Sequence, residues 1–333
     1  MSSLLLQIPD VCWTRALLDG SVQVDGFPVE WEPAVFDART SRRLRGEVEE
    51  QYAGTEQVIP DFLVRLSKGL EQSLVALPVF VTRGMVHRKL VMRRGLAPAD
   101  LRGRRVGMGR VLGATSVFVR GLLADDFGVE RQDVRWVAAE PVESDGAMGG
   151  EWDRLSERGR FKSSELLPRL ASGDLDAVIY PGGAGGHWFN WVAAADAGKS
   201  PDPYGDLEAM VAGSADLCFP IGDAPAHVSW FKRTEIYPLY HFLALRREVA
   251  EKNRGLGEAV VDACDRAALA ATRYMSPDEK GSCERELELL GADPNRCHAT
   301  PLHVRTVETC MDYLAADGLL PRRPSMADIF PFN

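Results

Sequence analysis

Two histidines stand beside residues with which they could carry out proton and anion chemistry. His87 follows Arg83 by four positions, just before a predicted strand, and His241 precedes another predicted strand after Tyr237-Pro238. Histidine exchanges protons near neutral pH, and arginine can hold a carboxylate through two parallel hydrogen bonds. Ligands bind at strand ends in α/β domains, which favours a catalytic role, although a single histidine is also common as a structural core residue.

A glycine-rich loop, Gly107–Gly113, connects a short strand to a helix. One interpretation is a dinucleotide loop, since glycines let phosphates approach backbone N–H groups at a helix N-terminus. The preceding strand, Arg104–Val106, is short and charged, which argues against that interpretation. We therefore predict no nicotinamide or flavin at this loop. The alternative is a turn that aims the helix N-terminus, with Thr115 and Ser116 in its first turn, at a carboxylate.

An aromatic cluster follows a second glycine-rich loop and contains His187, Trp188, Phe189 and Trp191. One interpretation is packing in a core or under a lid. The other is a hydrophobic wall for a planar ligand, with His187 and Trp188 contacting the substrate.

Metal and nucleophile motifs are absent from the sequence. Cys297, His298 and His303 are close together, yet no second group of ligands has the spacing of a zinc site. There is no H-E-x-x-H, G-x-S-x-G or Walker motif, which argues against the commonest hydrolases and NTPases. We predict no metal site and no organic cofactor, and leave open a divalent ion at a mixed His/Glu site.

Composition limits the class of protein. The 333 residues suggest about two domains, and 45% hydrophobic with 26% charged residues is typical of a globular chain. A net charge of −9 argues against a nucleic-acid partner but allows a locally positive pocket for a small anion. Six cysteines without a C-x-x-C pair, no signal peptide and no membrane span predict a cytoplasmic protein.

Strands alternate with helices along the chain, which predicts an α/β fold with mostly parallel sheets. The clearest signals are strands at Leu4–Ile8 and Leu74–Val81 and an amphipathic helix at Thr115–Phe127. The segment Val22–Trp31, with Asp-Gly at its centre, predicts a hairpin-like pair. The charged segment Ser41–Gln51 predicts a helix.

Several motifs together resemble the 4,5-dihydroxyphthalate decarboxylase family. They occur in the family's order, from Asp10 to about Arg273, and Arg83, His87, Tyr237-Pro238 and His241 accompany them. The motifs are TRALLDG (14–20), VALPVFV (75–81), DLRGRRVG (100–107) and VRGLLADDFG (119–128).

The resemblance implies the two-lobe α/β fold of type II periplasmic binding proteins, with a central cleft and two hinge crossings. Lobe I would contain residues 1–97 and 228–333, and lobe II residues 98–227. We expect the chain to cross between the lobes near residues 93–100 and again near 220–238.

The resemblance also implies a carboxy-lyase that removes CO2 from a small anionic carboxylate, a hydroxylated aromatic or related cyclic compound, without an organic cofactor. His87 or His241 would be the acid, Arg83 and Arg110 the anion clamps, and Glu56 or Asp10 the orienting carboxylate. The remaining substrate-binding residues would be Trp13, Thr14, Thr115, Ser116, His187, Trp188 and Tyr237. We expect no membrane or nucleic-acid partner, and a homo-oligomer is left open.

Three places differ from the family pattern. The loop Gly109–Ala114 replaces a Pro-Glu-Tyr-Gln-Met-Thr-like segment, Trp13 stands where arginine is usual, and the loop after Tyr180 is glycine-rich instead of containing arginine. We therefore expect a substrate other than 4,5-dihydroxyphthalate. The alternatives are another lyase, dehydratase or cyclisation enzyme on the same fold, or a cytosolic solute-binding protein for small anions.

Overall fold

The computed structural model describes most of the chain. The described ranges are 3–34, 46–139, 156–159, 165–180, 207–221, 224–291, 297 and 299–331. The predicted aromatic wall at His187 and Trp188 lies outside them. The strands in the described part are β1 (Leu4–Ile8), β2 (Val29–Pro33), β3 (Tyr52–Val58), β4 (Leu74–Arg83), β5 (Leu90–Arg93), β6 (Arg105–Met108), β7 (Arg135–Ala139), β8 (Ser156–Gly159), β9 (Ala177–Ile179), β10 (Leu217–Cys218) and β11 (Leu239–Arg246).

Helices connect and cover these strands. Those in the described part are α1 (Arg15–Leu18), α2 (Ile59–Ser67), α3 (Ala114–Phe127), α4 (Leu166–Ala171), α5 (Leu207–Ala212), α6 (Ala224–Thr234), α7 (Arg247–Lys252), α8 (Leu256–Leu269), α9 (Pro277–Leu290), α10 (Pro301–Ala316) and α11 (Met326–Ile329). None of them combines the length and the hydrophobicity that a membrane crossing requires.

The first sheet has five strands in the order β2-β1-β3-β11-β4. β1 runs parallel to β2 and β3, whereas β11 is antiparallel to both β3 and β4. Both faces of β4 are covered, which explains why its sequence is continuously apolar from Leu74 to Val81. Leu77, Val79 and Val81 pack into a core with α8, and Ala76 and Phe80 pack on the opposite face with α2.

The second sheet has six strands in the order β10-β5-β9-β6-β7-β8. β6 runs parallel to β7 and β9, whereas β5 is antiparallel to β9 and β10. The chain changes sheet between Arg83 and Leu90, and returns between Cys218 and Leu239. The first change comes before the expected crossing at 93–100, because β5 already pairs in the second sheet. The lobe boundaries themselves stay a prediction.

Helix α10 packs against both α2, which follows β3 of the first sheet, and α3, which follows β6 of the second. Gly121 of α3 makes this approach close, because a Cβ there would lie 2.2 Å from Tyr313 Cε2 of α10. At the end of α10, Asp317 accepts hydrogen bonds from Arg120 of α3 at 2.6 and 2.9 Å, and both side chains are buried. Apolar residues of both sheets therefore belong to one continuous core.

Two local predictions were wrong. Val22–Trp31 forms no hairpin: Val29 pairs in parallel with Leu4 of β1, and the segment before it packs over α1. The described part of Ser41–Gln51, residues 46–51, is not helical, and β3 follows it directly.

Candidate functional site

The ends of three strands bring predicted site residues to one edge of the first sheet. Because β4 and β3 are both antiparallel to β11, the carboxyl ends of β1, β3 and β4 lie beside the amino end of β11. Glu56 is near the end of β3, Arg83 ends β4, and His241 is near the start of β11. Trp13 and Thr14 follow β1 at the same edge.

His241 and Glu56 form a direct pair. His241 lies opposite Val58, so Glu56, two residues before Val58, points to the same face of the sheet. The His241 Nδ1 atom is 2.8 Å from Glu56 Oε2. The His241 side chain is 15% exposed and that of Glu56 only 2%. A buried carboxylate thus fixes the orientation of a histidine whose ring reaches solvent. Of the two carboxylates predicted to orient a histidine, it is Glu56 that does so.

Asp10 has a different partner. It is half-exposed and accepts a hydrogen bond from Arg15 Nε at 2.9 Å. Thr14 is buried, and its hydroxyl contacts the carbonyl oxygens of Pro9 at 2.5 Å and Val11 at 3.0 Å. Both residues therefore stabilise the loop between β1 and α1 in this structure.

Arg83 is completely buried. Its Nη1 donates to the Phe80 carbonyl at 2.5 Å, and the guanidinium lies 4.7 Å from the centre of the Trp13 ring. Trp13 is held in turn, because its indole Nε1 donates to Val81 O at 2.9 Å. The stack places a cation behind the sheet edge, where it contributes positive potential without being exposed.

Arg110 connects this edge to the second sheet. Its loop follows β6, and its Nη2 is 3.5 Å from Asp61 Oδ1 in the first turn of α2. The Arg110 side chain is 22% exposed, whereas that of Asp61 is 4% exposed. The predicted glycine loop does place Thr115 and Ser116 in the first turn of α3, after the N-cap residue Gly113.

His87 lies at the matching edge of the second sheet, just before β5, in a cluster of aromatic rings. Its imidazole stacks on His227 with centroids 4.5 Å apart, and Trp230 meets it edge-on at 5.3 Å. Burial, reinforced by the neighbouring His227, lowers the pKa of His87 to about 3. His87 is therefore neutral near pH 7, which makes it a poor proton donor in this state.

Tyr237 is also buried, and its hydroxyl donates to Glu286 Oε1 at 2.8 Å. Burial and the charge of Glu286 raise the pKa of Tyr237 well above its ordinary value, so the phenol stays protonated. The described residues contain no group of three His, Cys, Asp or Glu side chains that could hold a metal ion.

Sequence reasoning missed Asp61, His227 and Trp230. Asp61 sits in the first turn of a helix, where a carboxylate usually serves the helix dipole, so nothing marked it as the partner of Arg110. His227 and Trp230 are three residues apart on α6, a spacing that places two rings on one helix face. This spacing, close to the expected return crossing at residues 220–238, was the one signal in the sequence that could have identified the pair.

Comparison with known proteins bears on this geometry. No protein-family model matches the chain. A 4,5-dihydroxyphthalate decarboxylase from Comamonas testosteroni is 24% identical over 342 residues, which cover 95% of this chain and 92% of the relative. One from Pseudomonas putida is 30% identical over 182 residues, 50% of this chain and 66% of the relative. The resemblance predicted from the motifs is confirmed.

Solved structures identify the fold. The alkanesulfonate-binding protein SsuA from Xanthomonas axonopodis pv. citri, bound to MOPS, matches with a TM-score of 0.51 at 14% identity, over 99% of this chain and 98% of that one. The periplasmic aliphatic sulphonate binding protein SsuA from Escherichia coli matches with a TM-score of 0.52 at 12% identity, over 99% and 92%. The chain has the predicted two-lobe α/β fold of type II periplasmic binding proteins.

Proposed function

We propose that this chain is a decarboxylase that needs no organic cofactor and removes CO2 from a hydroxylated aromatic or related cyclic carboxylate. The names of the two sequence relatives support this class of reaction. The observation that carries the proposal is the pair formed by His241 and Glu56, which combines a partly exposed imidazole with a buried carboxylate. The substrate would be a small carboxylate anion.

Decarboxylation of an electron-rich ring requires a proton on the carbon that bears the carboxylate. His241, as an imidazolium, would donate that proton from Nε2, because Nδ1 is held by Glu56. The bond to the carboxylate carbon then breaks, CO2 leaves, and the electron pair of that bond restores aromaticity. His241 ends neutral and regains its proton from solvent, so that one proton is consumed for each CO2 released.

Glu56 would act as a positioning residue. Its hydrogen bond to Nδ1 fixes the ring of His241 with Nε2 directed away from β3. This arrangement favours His241 over His87 as the acid, since burial keeps the His87 imidazole neutral.

Arg110 would hold a substrate carboxylate. It is the more accessible of the two predicted clamps, since Arg83 is fully buried against Trp13. Arg110 Nη2 lies 3.5 Å from Asp61 Oδ1. A substrate carboxylate bound at Arg110 would therefore share the guanidinium with Asp61. Arg83 would then stabilise the anion through its field, not through a direct contact.

Cytoplasm is the compartment we propose, because the six cysteines are spread along the chain without a C-x-x-C pair, a pattern that suits thiols in a reducing environment. We propose two lobes in the predicted arrangement, with both chain ends in lobe I and the middle of the chain in lobe II, but with β5 (Leu90–Arg93) in lobe II because it pairs with β9 and β10.

The test is a mass-spectrometric screen of 4,5-dihydroxyphthalate and related aromatic di- and tricarboxylates for a mass loss equal to CO2. With the substrate found, His241→Asn should lower kcat by about 10²–10⁴-fold, the usual contribution of general acid catalysis. His303→Asn is the matched control, since His303 is a buried histidine of α10 that packs on Phe80. It should lower thermal stability and leave kcat unchanged.

The fold itself supports one alternative, a binding protein for small anions. Under that alternative a carboxylate would bind stoichiometrically and be recovered unchanged. Recovery of the ligand with water lost or a ring closed would instead support another lyase, a dehydratase or a cyclisation enzyme. Either result, or an unchanged rate in His241→Asn, would overturn the decarboxylase proposal.

A further inference from the structure

Three buried polar atoms near the crossing from the first sheet to the second have no hydrogen-bond partner in the described part of the chain. They are His87 Nδ1, Trp230 Nε1 and Thr82 Oγ1. His87 is 1% exposed and the other two residues 2% each. Buried polar groups in folded proteins are nearly always hydrogen-bonded, so each such atom calls for a ligand or a water molecule.

Two of these atoms, those of Thr82 and His87, lie on one short piece of chain. Thr82 is the cross-strand partner of His241. His87 comes five residues later, and a chain of that length spans at most about 17 Å. Tyr240, beside His241, donates from its hydroxyl to Gly84 O at 2.8 Å, which fixes the intervening segment. The atoms thus extend from beside the proposed acid toward the rings of α6.

His87 and Trp230 present uncharged groups. The indole nitrogen is only a donor, and a neutral imidazole nitrogen is a donor or an acceptor according to its tautomer. These two groups by themselves carry no positive charge that would offset the lost hydration of a buried carboxylate. A hydroxyl oxygen accepts from the indole and either donates to or accepts from the imidazole, so it satisfies both atoms in either tautomer.

We propose that His87 and Trp230 form a subsite that hydrogen-bonds an uncharged hydroxyl group of the substrate. The inference rests on the proposed function, since it assigns to these residues the recognition of the hydroxylated ring. His87 is then a specificity-determining residue and not the acid. The stack on His227 and the edge-on contact with Trp230 hold its ring in place.

The experiment compares two ligands that differ only in hydroxyl groups, 4,5-dihydroxyphthalate and phthalate. Binding is measured by calorimetry in a His241→Asn background, where turnover is suppressed. Trp230→Phe keeps an aromatic ring and removes the nitrogen. This variant should lower the affinity for 4,5-dihydroxyphthalate by about two- to tenfold, the usual effect of one hydrogen bond. The affinity for phthalate should be unchanged. His87→Phe should do the same, so either variant decides if the other fails to fold.

The matched control is Trp136→Phe. Trp136 is another buried tryptophan, but its Nε1 already donates to Arg131 O at 2.8 Å. This variant should change the affinity for neither ligand. A second readout needs no stability comparison: the ¹⁵N indole resonance of Trp230 should move with 4,5-dihydroxyphthalate and stay in place with phthalate, while that of Trp136 stays in place with both.

Equal weakening of both ligands by Trp230→Phe, or no effect on either with a stationary indole resonance, would overturn the subsite and assign a water molecule to the two nitrogens. The proposed function would stand in that case if 4,5-dihydroxyphthalate or a relative loses CO2. If neither ligand binds and no aromatic carboxylate is turned over, the subsite and the proposed function both fall.

Discussion

Glu56 places a negative charge one hydrogen bond behind His241, on a strand that is buried along its whole length. Glu56→Gln keeps the shape of the side chain and replaces the carboxylate oxygen that holds His241 Nδ1. We expect kcat to fall by about 10–100-fold, with little change in KM, because the ring would be less well oriented. Steady-state kinetics on the identified substrate gives both constants.

The control for this change is Glu71→Gln. Glu71 is another buried carboxylate, and it accepts from the backbone N–H groups of Ser73 and Leu74. Its loss should lower the melting temperature without altering kcat. If Glu56→Gln retained full kcat, or altered only stability as Glu71→Gln does, Glu56 would have no positioning role.

His87 makes stability depend on pH. Its pKa falls from 6.5 to about 3 on folding because burial disfavours the charged form. The unfolded chain therefore binds more protons between these values, so the stabilisation is complete above pH 6.5 and is lost as the pH falls toward 3. Within this window the free energy of unfolding should lose up to about 1.4 kcal/mol per pH unit.

The measurement is urea unfolding of the wild type and His87→Phe at pH 7, 6 and 5. The curve of unfolding free energy against pH should be flatter for the variant, because residue 87 no longer takes up a proton on unfolding. Parallel curves would mean that His87 is already charged or exposed in the folded state.

At the level of single elements, the close contact between α3 and α10 depends on a glycine, Gly121, at the point where the two helices meet. Alanine is normally favoured over glycine within a helix by about 0.5–1 kcal/mol. At Gly121 the added Cβ would lie 2.2 Å from the Tyr313 ring, so the two helices would have to separate. Gly121→Ala should lower the free energy of unfolding by about 1–3 kcal/mol, the range for overpacked cores.

Gly281 offers a matched control in α9, since a Cβ there would have no atom within 4 Å. Gly281→Ala should raise stability by the usual helix propensity. Chemical denaturation of the two variants beside the wild type gives both differences. A Gly121→Ala protein as stable as Gly281→Ala would show that α3 and α10 pack less closely than the structure indicates.

Some of the helices and strands could be predicted from the sequence and others could not. The strand over Leu4–Ile8 was predicted with its bounds, and the helix Thr115–Phe127 differs by one residue from Ala114–Phe127, because their apolar patterns were strong. β3 was missed because its centre reads Thr-Glu-Gln, a polar run that resembles a loop. Those side chains are buried only because β1 and β11 flank them, and Glu56 is tolerated there because His241 is its partner.

The site residues differ in the same way in how far they could be predicted from the sequence. Arg83, His241 and Glu56 came from the family resemblance, and the structure brings all three to one sheet edge. Trp230 could not come from local pattern, since its relation to His87 depends on where α6 lies after the return crossing. Local rules fail most where a buried polar group is kept for a ligand or a partner distant in sequence.

Across the whole molecule, the pair formed by Arg120 and Asp317 joins the end of α10 to the helix that follows β6. Arg120 also donates to Val111 O at 3.0 Å, in the loop that carries Arg110. Asp317→Asn would leave the Arg120 guanidinium buried without its counter-charge. We expect a loss of about 3–5 kcal/mol in the free energy of unfolding, measured by denaturant titration.

Asp312→Asn serves for comparison, since Asp312 is on the same helix and its ion pair with Arg323 is exposed to solvent. Asp312→Asn should lower the free energy of unfolding by no more than about 1 kcal/mol. Similar losses of unfolding free energy in the two variants would show that the Arg120–Asp317 pair is solvated. The pair would then not stabilise the packing of α10 against the second sheet.

The order of strands in the two sheets has a consequence for the chain as it leaves the ribosome. Every described strand of the second sheet lies between residues 90 and 218, whereas the first sheet lacks an inner strand until residue 246 has emerged. Domains fold as units during synthesis. The inserted unit should therefore fold first, while β3 and β4, though made earlier, wait for β11 to arrive between them. In a nascent chain stalled before β11, the Glu56 carboxylate would lack its hydrogen-bond partner His241.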